Sequence, residues 1–256
     1  MKQDFTLFFE GNPLQPTTRN QAKLANEMQL ARAEFARRFV HSHDIIADIS
    51  CSSGFLSQLL PFHHYIGVDH PDVIALLMAN GTYRGHSITY HAHDFEQRET
   101  TLDIGMQVDK IISFETIEHV EDPAHFLYNV GKNLKEGGQL ILSTPNNPFG
   151  FPPRYKFHVK EYSLSEMHHL LAESGFDVQN TYAMGVPFEL IRKALDKSSI
   201  KTYRNDPDTE RGTLSKVMDA LPSLRHLYCV IMPYDVGGAP LGHAGSGMII
   251  IASKKA

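Results

Sequence analysis

Cysteine, long apolar runs and clustered basic residues are all scarce in this sequence. Only Cys51 and Cys229 occur among the 256 residues, too few for a disulfide framework, and we expect a cytoplasmic protein. The longest apolar runs, such as the MIII at 248–251, are far shorter than the roughly 20 residues that cross a bilayer, so no membrane span is predicted. Residues 1–16 lack an apolar core followed by small residues, and we expect no secretory signal.

The charge pattern argues against a nucleic-acid partner. The formal net charge is -5, and basic residues cluster only at Arg37-Arg38 and Lys254-Lys255. A duplex-binding protein usually carries a basic stripe, which is absent. The sequence also lacks GxxxxGK[ST], the loop that cradles the phosphates of a nucleoside triphosphate.

Strand-like and helix-like segments alternate from residue 44 onwards. The sequence predicts seven strands, at 44–50, 65–69, 87–95, 108–115, 139–146, 176–184 and 247–253. It predicts helices at 71–80, 122–138 and 163–175, preceded by an amphipathic helix within 17–40 whose apolar positions include Leu30 and Phe35. Short connections between such elements indicate a doubly wound, Rossmann-like α/β fold with a seven-stranded, mostly parallel sheet covered on both faces.

The same pattern divides the chain into four parts. Residues 1–43 are predicted to form an N-terminal helical segment or lid, and residues 44–185 a ligand-binding core. The alternation weakens over 186–245, which we interpret as an insertion that forms a lid over the acceptor site. Residues 246–256 are predicted to return to the sheet as the final strand.

Acidic residues stand at the ends of successive predicted strands, where open α/β sheets bind ligands. The first strand leads from Asp48 through Ser50, Cys51 and Ser52 to Gly54; the following strand ends carry Asp69-His70, Asp94-Phe95 and Phe114-Glu115. A single such Asp often caps the next helix. Together they suit one kind of ligand, because one acid can accept both hydroxyls of a ribose and another can accept hydrogen bonds from an exocyclic amine.

Six ordered segments then resemble one family. ADISCSSGFLS, YIGVD, HDF, DKIISFETIEHVEDPAHFL, NLKEGGQLILSTPN and FHVKEYSLSEMHHLLAESGF follow one another across about residues 44–183. In order and spacing they resemble the class I S-adenosylmethionine-dependent methyltransferases. The pattern is similar to the branch that contains ubiquinone-biosynthesis O-methyltransferases and methyltransferases of glycan synthesis.

The resemblance implies S-adenosyl-L-methionine as cofactor and assigns a role to each strand end. The turn from Asp48 to Gly54 is expected to pass under the methionine part. Asp69 is expected to hold the ribose beside His70. The remaining expected contacts are Asp94 and Phe95 with the adenine, and Phe114 and Glu115 near the methyl group.

The turn departs from the family pattern at two positions. The family usually has glycine where this chain has Ser50, and glycine or another small residue at Ser52. Serine in a positive-φ conformation costs about 1 kcal/mol, whereas at negative φ its hydroxyl would be free to bond the cofactor carboxylate. We expect a working cofactor site.

The methyl-transfer chemistry is predicted to depend on histidine. Glu115, Glu118 and His119 are spaced to share one face of a helical turn, and the loop carrying His158 follows the neighbouring strand. His119 or His158 is expected to act as general base. Alternatively, the two carboxylates and two imidazoles hold a divalent cation, as in some members resembling this pattern, or Glu115 and His119 only shape the pocket.

Three functions remain open from the sequence. The first is O-methylation of a small molecule or sugar, which the acidic net charge and the predicted lid favour. The second is metal-assisted 2′-O-methylation of RNA, which the missing basic face disfavours. The third is a non-catalytic methyltransferase-like partner domain, with the two serines as signs of a decayed site. The sequence does not define an oligomeric state.

Overall fold

The computed structural model describes residues 19–80, 87–148, 150, 152–153, 156–185, 231–233 and 247–255. Four helices lie in these ranges: α1 (Arg19–Ala36), α2 (Pro71–Asn80), α3 (Pro123–Asn133) and α4 (Leu164–Glu173). Two short 3-10 turns occupy Phe55–Gln58 and Ile117–His119. The strands are β1 (Ile45–Ile49), β2 (His64–Asp69), β3 (Ile88–Ala92), β4 (Val108–Phe114), β5 (Leu134–Pro145), β6 (Phe176–Met184), β7 (Ile231–Pro233) and β8 (Gly247–Lys254).

The strands form one sheet in the order β3-β2-β1-β4-β5-β8-β6-β7. Strands β1 to β5 pair in parallel, whereas β8 runs antiparallel to both β5 and β6. The predicted doubly wound, mostly parallel sheet of seven strands is therefore confirmed. The three-residue strand β7 adds an eighth strand beside β6, inside the segment predicted to be an insertion.

Alternate residues of each strand point to opposite sides of the sheet, and helices cover both of the resulting apolar faces. Ile46 and Ile112 pack with α1 on one face, whereas Ala47 and Ile111 belong to the cluster that includes α3 and α4 on the other. Because β1 to β5 are parallel, their carboxyl ends lie along one edge of the sheet. The predicted site residues follow those ends.

Helix α1 buries a narrower stripe than its sequence predicts. Phe35 is buried and packs edge-on against Tyr182 of β6, with ring centroids 4.6 Å apart. Leu30, predicted on the same apolar face, is 47% exposed, and that expectation is wrong. Residues Leu30 and Phe35 are five apart, so at about 100° per residue they cannot both face the sheet squarely.

The boundary between α3 and β5 also differs from the prediction. The helix was expected to continue to residue 138 but ends at Asn133, and β5 begins at once with Leu134. Leu134 is fully buried and pairs with Val108 of β4. This pairing satisfies the backbone that a longer helix would have used, so the tertiary contact overrides local helix propensity. The start of α3 is as predicted, with Asp122 accepting from the His125 amide.

The division of the chain into four parts stays a prediction. The N-terminal segment before residue 19 and most of the predicted insertion lie outside the described residues. Within the described ranges, no helix has the length and apolar character needed to cross a bilayer.

Candidate functional site

The turn after β1 has the backbone shape of a glycine-rich loop although two of its residues are serines. Ser50 has φ 60° and Ser52 has φ 50°, both in the left-handed region, as does Gly54 at 70°. A Cβ at Gly54 would lie 2.7 Å from the Tyr90 hydroxyl oxygen, so a larger residue there would also displace the Tyr90 side chain. Each serine therefore carries a strain of about 1 kcal/mol, and the alternative of negative φ does not hold.

Asp69, at the end of β2, ties this turn to the sheet. Its Oδ2 accepts the Ser52 amide at 2.8 Å and its Oδ1 accepts the His70 amide at 2.7 Å. Burial raises the pKa of Asp69 even though both backbone bonds oppose the shift. Each carboxylate oxygen has a second lone pair, so the residue retains acceptors for a ligand while holding the turn.

Asp48 lies in β1, and Cys51 lies in the turn that follows it. Both are buried, and the Tyr65 hydroxyl donates to Asp48 Oδ2 at 2.5 Å. Burial raises the pKa of Asp48 to about 7. The pKa of the Cys51 thiol is raised well above its usual range, mainly by burial and secondly by the charge of Asp48. A thiol with a raised pKa is a weak nucleophile, and Cys51 packs in a small apolar cluster with Ile74 and Leu77.

The ends of β2 and β3 meet at the predicted adenine position. His70 Nε2 lies 3.7 Å from Asp94 Oδ2. Asp94 also orders its own loop by accepting from the Glu96 amide at 3.0 Å and the Gln97 side chain at 3.1 Å. Phe95 is partly buried, with its ring edge-on to Phe126 of α3 at 5.0 Å. Part of that ring therefore belongs to the core.

Glu115, directly after β4, is held by two neighbours. It has φ 53°; its Oε1 accepts the Ser143 hydroxyl at 2.7 Å and lies 3.4 Å from a guanidinium nitrogen of Arg32. Arg32 comes from α1, and its Cζ lies 6.0 Å from the centre of the Phe114 ring. Helix α1 therefore contributes a buried cation to the end of β4.

Glu118, in the 3-10 turn after β4, is a deeply buried carboxylate of the site. The residue is 1% exposed. Thr144 donates to its Oε2 at 3.0 Å, and its Oε1 is buried without a hydrogen-bond partner among the described residues. Burial, followed by the charge of Glu115, raises the pKa of Glu118 well above its usual range. Such an oxygen is costly unless a donor or a cation compensates it.

His119 and His158 lie side by side, with ring centroids 4.7 Å apart and planes at 89°. His119 Nδ1 lies 3.1 Å from the Phe157 carbonyl oxygen, and a carbonyl only accepts, so Nδ1 carries the proton. His158 Nδ1 lies 2.8 Å from Glu161 Oε1. Burial, followed by His158, lowers the pKa of His119. His119 therefore favours the neutral form, with its lone pair on Nε2.

Backbone hydrogen bonds fix the loop that carries His158. The Val159 and Lys160 amides donate to the Glu118 carbonyl oxygen at 2.7 and 3.2 Å, and the Asn147 amide donates to the Tyr162 carbonyl at 2.8 Å. The loop after β5 is therefore pinned onto the 3-10 turn. This attachment brings two histidines that are far apart in the sequence to one place.

Glu118, His119 and His158 lie close enough together that they could hold a metal ion. Each of the three residues offers one potential ligand atom, and these three atoms all lie within 4.8 Å of one another. Glu115 lies outside this group in the structure. One carboxylate and two imidazoles suit a first-row divalent cation, and three ligands leave positions open for an acceptor.

Sequence reasoning missed three residues of this site: Arg32, Ser143 as a partner of Glu115, and Glu161. A signal existed for two of them. Arg32 is a charge in the apolar stripe that contains Phe35, and Glu161 is an acid three residues after a candidate histidine. Nothing in the sequence alone joins Ser143 to Glu115.

Known proteins resemble this chain in sequence. Residues 21–181, more than half of the chain, match a family described as a methyltransferase domain. A 78-residue stretch is 36% identical to a Mycolicibacterium smegmatis protein named "Probable S-adenosylmethionine-dependent methyltransferase", covering 29% of this chain and 30% of that protein. A 107-residue stretch is 33% identical to the ubiquinone biosynthesis O-methyltransferase of Coxiella burnetii, covering 41% and 44%. The matched stretches span less than half the length of these curated relatives.

Solved structures resemble it in fold. A methyltransferase of Haloferax volcanii, solved in complex with the Trm112 methyltransferase activator, has a TM-score of 0.61 at 13% identity over 100% of both chains. A SAM-dependent methyltransferase of Thermotoga maritima has a TM-score of 0.58 at 15% identity over 98% of this chain and 99% of its own. At such low identity these similarities establish the architecture alone.

Proposed function

This chain belongs to the class I S-adenosylmethionine-dependent methyltransferases, and on that basis we propose that it methylates a hydroxyl group of a small molecule or sugar with the help of a divalent cation. The cofactor would occupy the edge formed by the ends of β1, β2 and β3. The acceptor would lie beside it, at the ends of β4 and β5. The cation would be held by Glu118, His119 and His158.

One observation carries the proposal: the unsatisfied oxygen of Glu118 shares a site with two imidazoles. Glu118 Oε1 is buried without a hydrogen-bond partner in the described ranges, and the ligand atoms of the three residues lie within 4.8 Å. Because His119 and His158 each use Nδ1 for another contact, each would present Nε2. A cation held there would compensate the buried carboxylate, and Glu118, His119 and His158 have the chemistry to hold one.

The reaction would be an in-line displacement. The acceptor oxygen attacks the methyl carbon of the sulfonium, the C–O bond forms, and the C–S bond breaks with its electron pair returning to sulfur. Positioning contributes much of the rate of such a step. A divalent cation, when bound, lowers the pKa of a hydroxyl that it contacts, and the released proton passes to solvent or to a neighbouring carboxylate.

The side chains around the reaction would orient the reactants. Glu115 is held by Ser143 and Arg32, so its charge is fixed near the expected methyl position. Asp69 would retain acceptors for the ribose while its backbone bonds hold the turn. Neither role requires a movement of the sheet.

The acceptor class is supported by charge and by relatives. A net charge of -5 disfavours a polyanionic acceptor such as RNA. The relatives that share 29% to 33% identity over about 41% of this chain include proteins named ubiquinone biosynthesis O-methyltransferases. A hydroxyl on a small molecule or sugar is therefore the acceptor that we favour.

The proposal is tested by cofactor binding, cation binding and turnover on the full chain. We expect calorimetric titration to show micromolar binding of S-adenosylmethionine and S-adenosylhomocysteine, lost in Asp69→Ala. Binding of Mn²⁺ can be measured by the loss of the electron paramagnetic resonance signal of the free ion. We expect Mn²⁺ to bind the wild type, and to bind His119→Ala and Glu118→Gln at least tenfold more weakly. Formation of S-adenosylhomocysteine with a panel of phenols, catechols and monosaccharides should stop when a chelator is added.

His169→Ala is the matched control, because His169 is an exposed histidine of α4 that pairs with Glu173 at 3.2 Å. It should retain cation binding and turnover. Turnover that persists in chelator would remove the cation and assign the proton to a histidine acting as base. Absence of cofactor binding in a folded sample would instead favour a non-catalytic partner domain.

A further inference from the structure

Glu161 is a buried carboxylate whose side chain touches the candidate site from behind. Its side chain is 1% exposed, and that of His158 is 8% exposed. The Oε1 of Glu161 lies 2.8 Å from His158 Nδ1. A carboxylate removed from water needs hydrogen-bond donors to offset its lost hydration, and the imidazole N–H supplies one.

We propose that Glu161 is a positioning residue: it accepts the Nδ1–H of His158, so that the lone pair of His158 is kept on Nε2 for the cation. This inference rests on the proposed function, because it gives Glu161 a part in the same site. Glu161 would act only through His158 and would touch neither cofactor nor acceptor.

The arrangement of the two histidines supports this role. His119 is oriented by a neutral carbonyl, that of Phe157 at 3.1 Å, whereas His158 faces a carboxylate. A carboxylate partner orients a ligating imidazole and raises its basicity more strongly than a neutral acceptor does. His158 should therefore be the stronger metal ligand of the two histidines.

The local backbone holds both partners in one rigid segment. Val159 and Lys160, which lie between them, both donate to the Glu118 carbonyl oxygen, and Asn146 bridges to Tyr162 just beyond. His158 and Glu161 are thus fixed relative to each other and to Glu118.

The first test reads the tautomer of His158 directly, in the metal-free full chain labelled with ¹⁵N-histidine. Two-bond ¹H–¹⁵N correlation spectra distinguish the protonated ring nitrogen from the bare one, and His158→Gln identifies the signals by their loss. We expect a pure Nδ1–H tautomer in the wild type. We expect Glu161→Ala, and the nearly isosteric Glu161→Gln, to show a mixture of tautomers.

The matched control is Glu173→Gln, which removes an acid from an exposed His–Glu pair on α4 and should leave the His158 signals unchanged. An Nε2–H tautomer in the wild type would place the proton on the wrong atom and overturn the inference. A pure Nδ1–H tautomer in both Glu161 variants would overturn it equally, because the carboxylate would then not be its cause.

The second test measures Mn²⁺ affinity by electron paramagnetic resonance. Loss of the acceptor in Glu161→Ala should weaken binding by about 10- to 100-fold, the usual effect of removing such a partner, whereas S-adenosylhomocysteine should bind normally. Unchanged Mn²⁺ affinity in this variant would overturn the role. If the wild type itself binds no Mn²⁺, the cation of the proposed function fails, and the metal-free tautomer measurement still decides whether Glu161 positions His158.

Discussion

At the scale of single residues, the turn after β1 combines a glycine-type backbone with serine side chains. Ser50 and Ser52 both have positive φ, a region that a Cβ makes unfavourable. The chain therefore carries strain at the predicted cofactor turn. Because Asp69 fixes the Ser52 amide at 2.8 Å, the turn keeps this shape despite the strain.

Replacing either serine by glycine should relieve the strain. We expect Ser50→Gly and Ser52→Gly each to raise the free energy of unfolding by up to about 0.6 kcal/mol, the left-handed penalty of about 1 kcal/mol less the entropy of about 0.4 kcal/mol or more that glycine adds to the unfolded chain. Urea unfolding measures the change. Ser53→Gly, at the next residue of the same turn, which does not have a positive φ, should be neutral or destabilising. Destabilisation by Ser50→Gly would mean that the hydroxyl stabilises the turn more than the strain opposes it.

At the scale of elements, α1 is joined to the sheet by a few specific contacts. Phe35 lies against Tyr182 of β6, and Arg32 reaches Glu115 after β4. The helix thus spans from one half of the sheet to the other. The docking of α1 therefore positions Arg32, which among the described side chains of this helix is the charged one that approaches the candidate site.

Removing the aromatic anchor should be costly, and removing the exposed leucine should not. Phe35 is 4% exposed and Leu30 is 47% exposed. We expect Phe35→Ala to lower the free energy of unfolding by about 3 kcal/mol or more, and Leu30→Ala to change it by less than about 0.5 kcal/mol. Chemical denaturation of both variants measures the difference. Equal effects would contradict the described orientation of α1.

The boundaries of the helices show which features could be predicted from the sequence and which could not. The start of α3 at Asp122-Pro123 and the capping box of α4 at Ser163 and Glu166 were predictable, because cap chemistry is local. The end of α3 was not, because Leu134 leaves the helix to pair with Val108, a residue of another strand. The docking of Arg32 against Glu115 is equally non-local.

At the scale of the whole molecule, stability should depend on a buried acid. The pKa of Asp48 is raised to about 7 from 3.8 by burial. Between these two values the folded chain binds more protons than the unfolded chain. Stability from this group is therefore fully present below about pH 4 and is lost as pH rises through about 7.

We expect the free energy of unfolding of the cofactor-free wild type to fall between pH 5 and pH 8 by roughly 2 kcal/mol more than that of Asp48→Asn, which cannot ionise. Urea titrations at both pH values measure the difference. Asp177→Asn, at an exposed residue of β6, should follow the wild type. Equal pH dependence in wild type and Asp48→Asn would show that the acid does not titrate in this range.

The whole fold was more predictable than the candidate site. Alternating apolar segments define a doubly wound sheet, and right-handed crossovers leave few ways to order its strands. The short distance between His119 and His158 depends on a loop whose backbone bonds to Glu118 cannot be read from sequence. Likewise, the sequence left open whether Ser50 and Ser52 have positive φ, because the shape of this turn depends on non-local contacts such as the bond from the Ser52 amide to Asp69.

The two amide hydrogen bonds to one carbonyl oxygen allow the opening of the candidate site to be measured by hydrogen exchange. Val159 and Lys160 both donate to the Glu118 oxygen, so the loop cannot lift away without releasing both at once. Their amide hydrogens should therefore exchange with deuterium at correlated rates. The free energy of that opening would measure the fraction of time for which His158 is absent from its place beside His119.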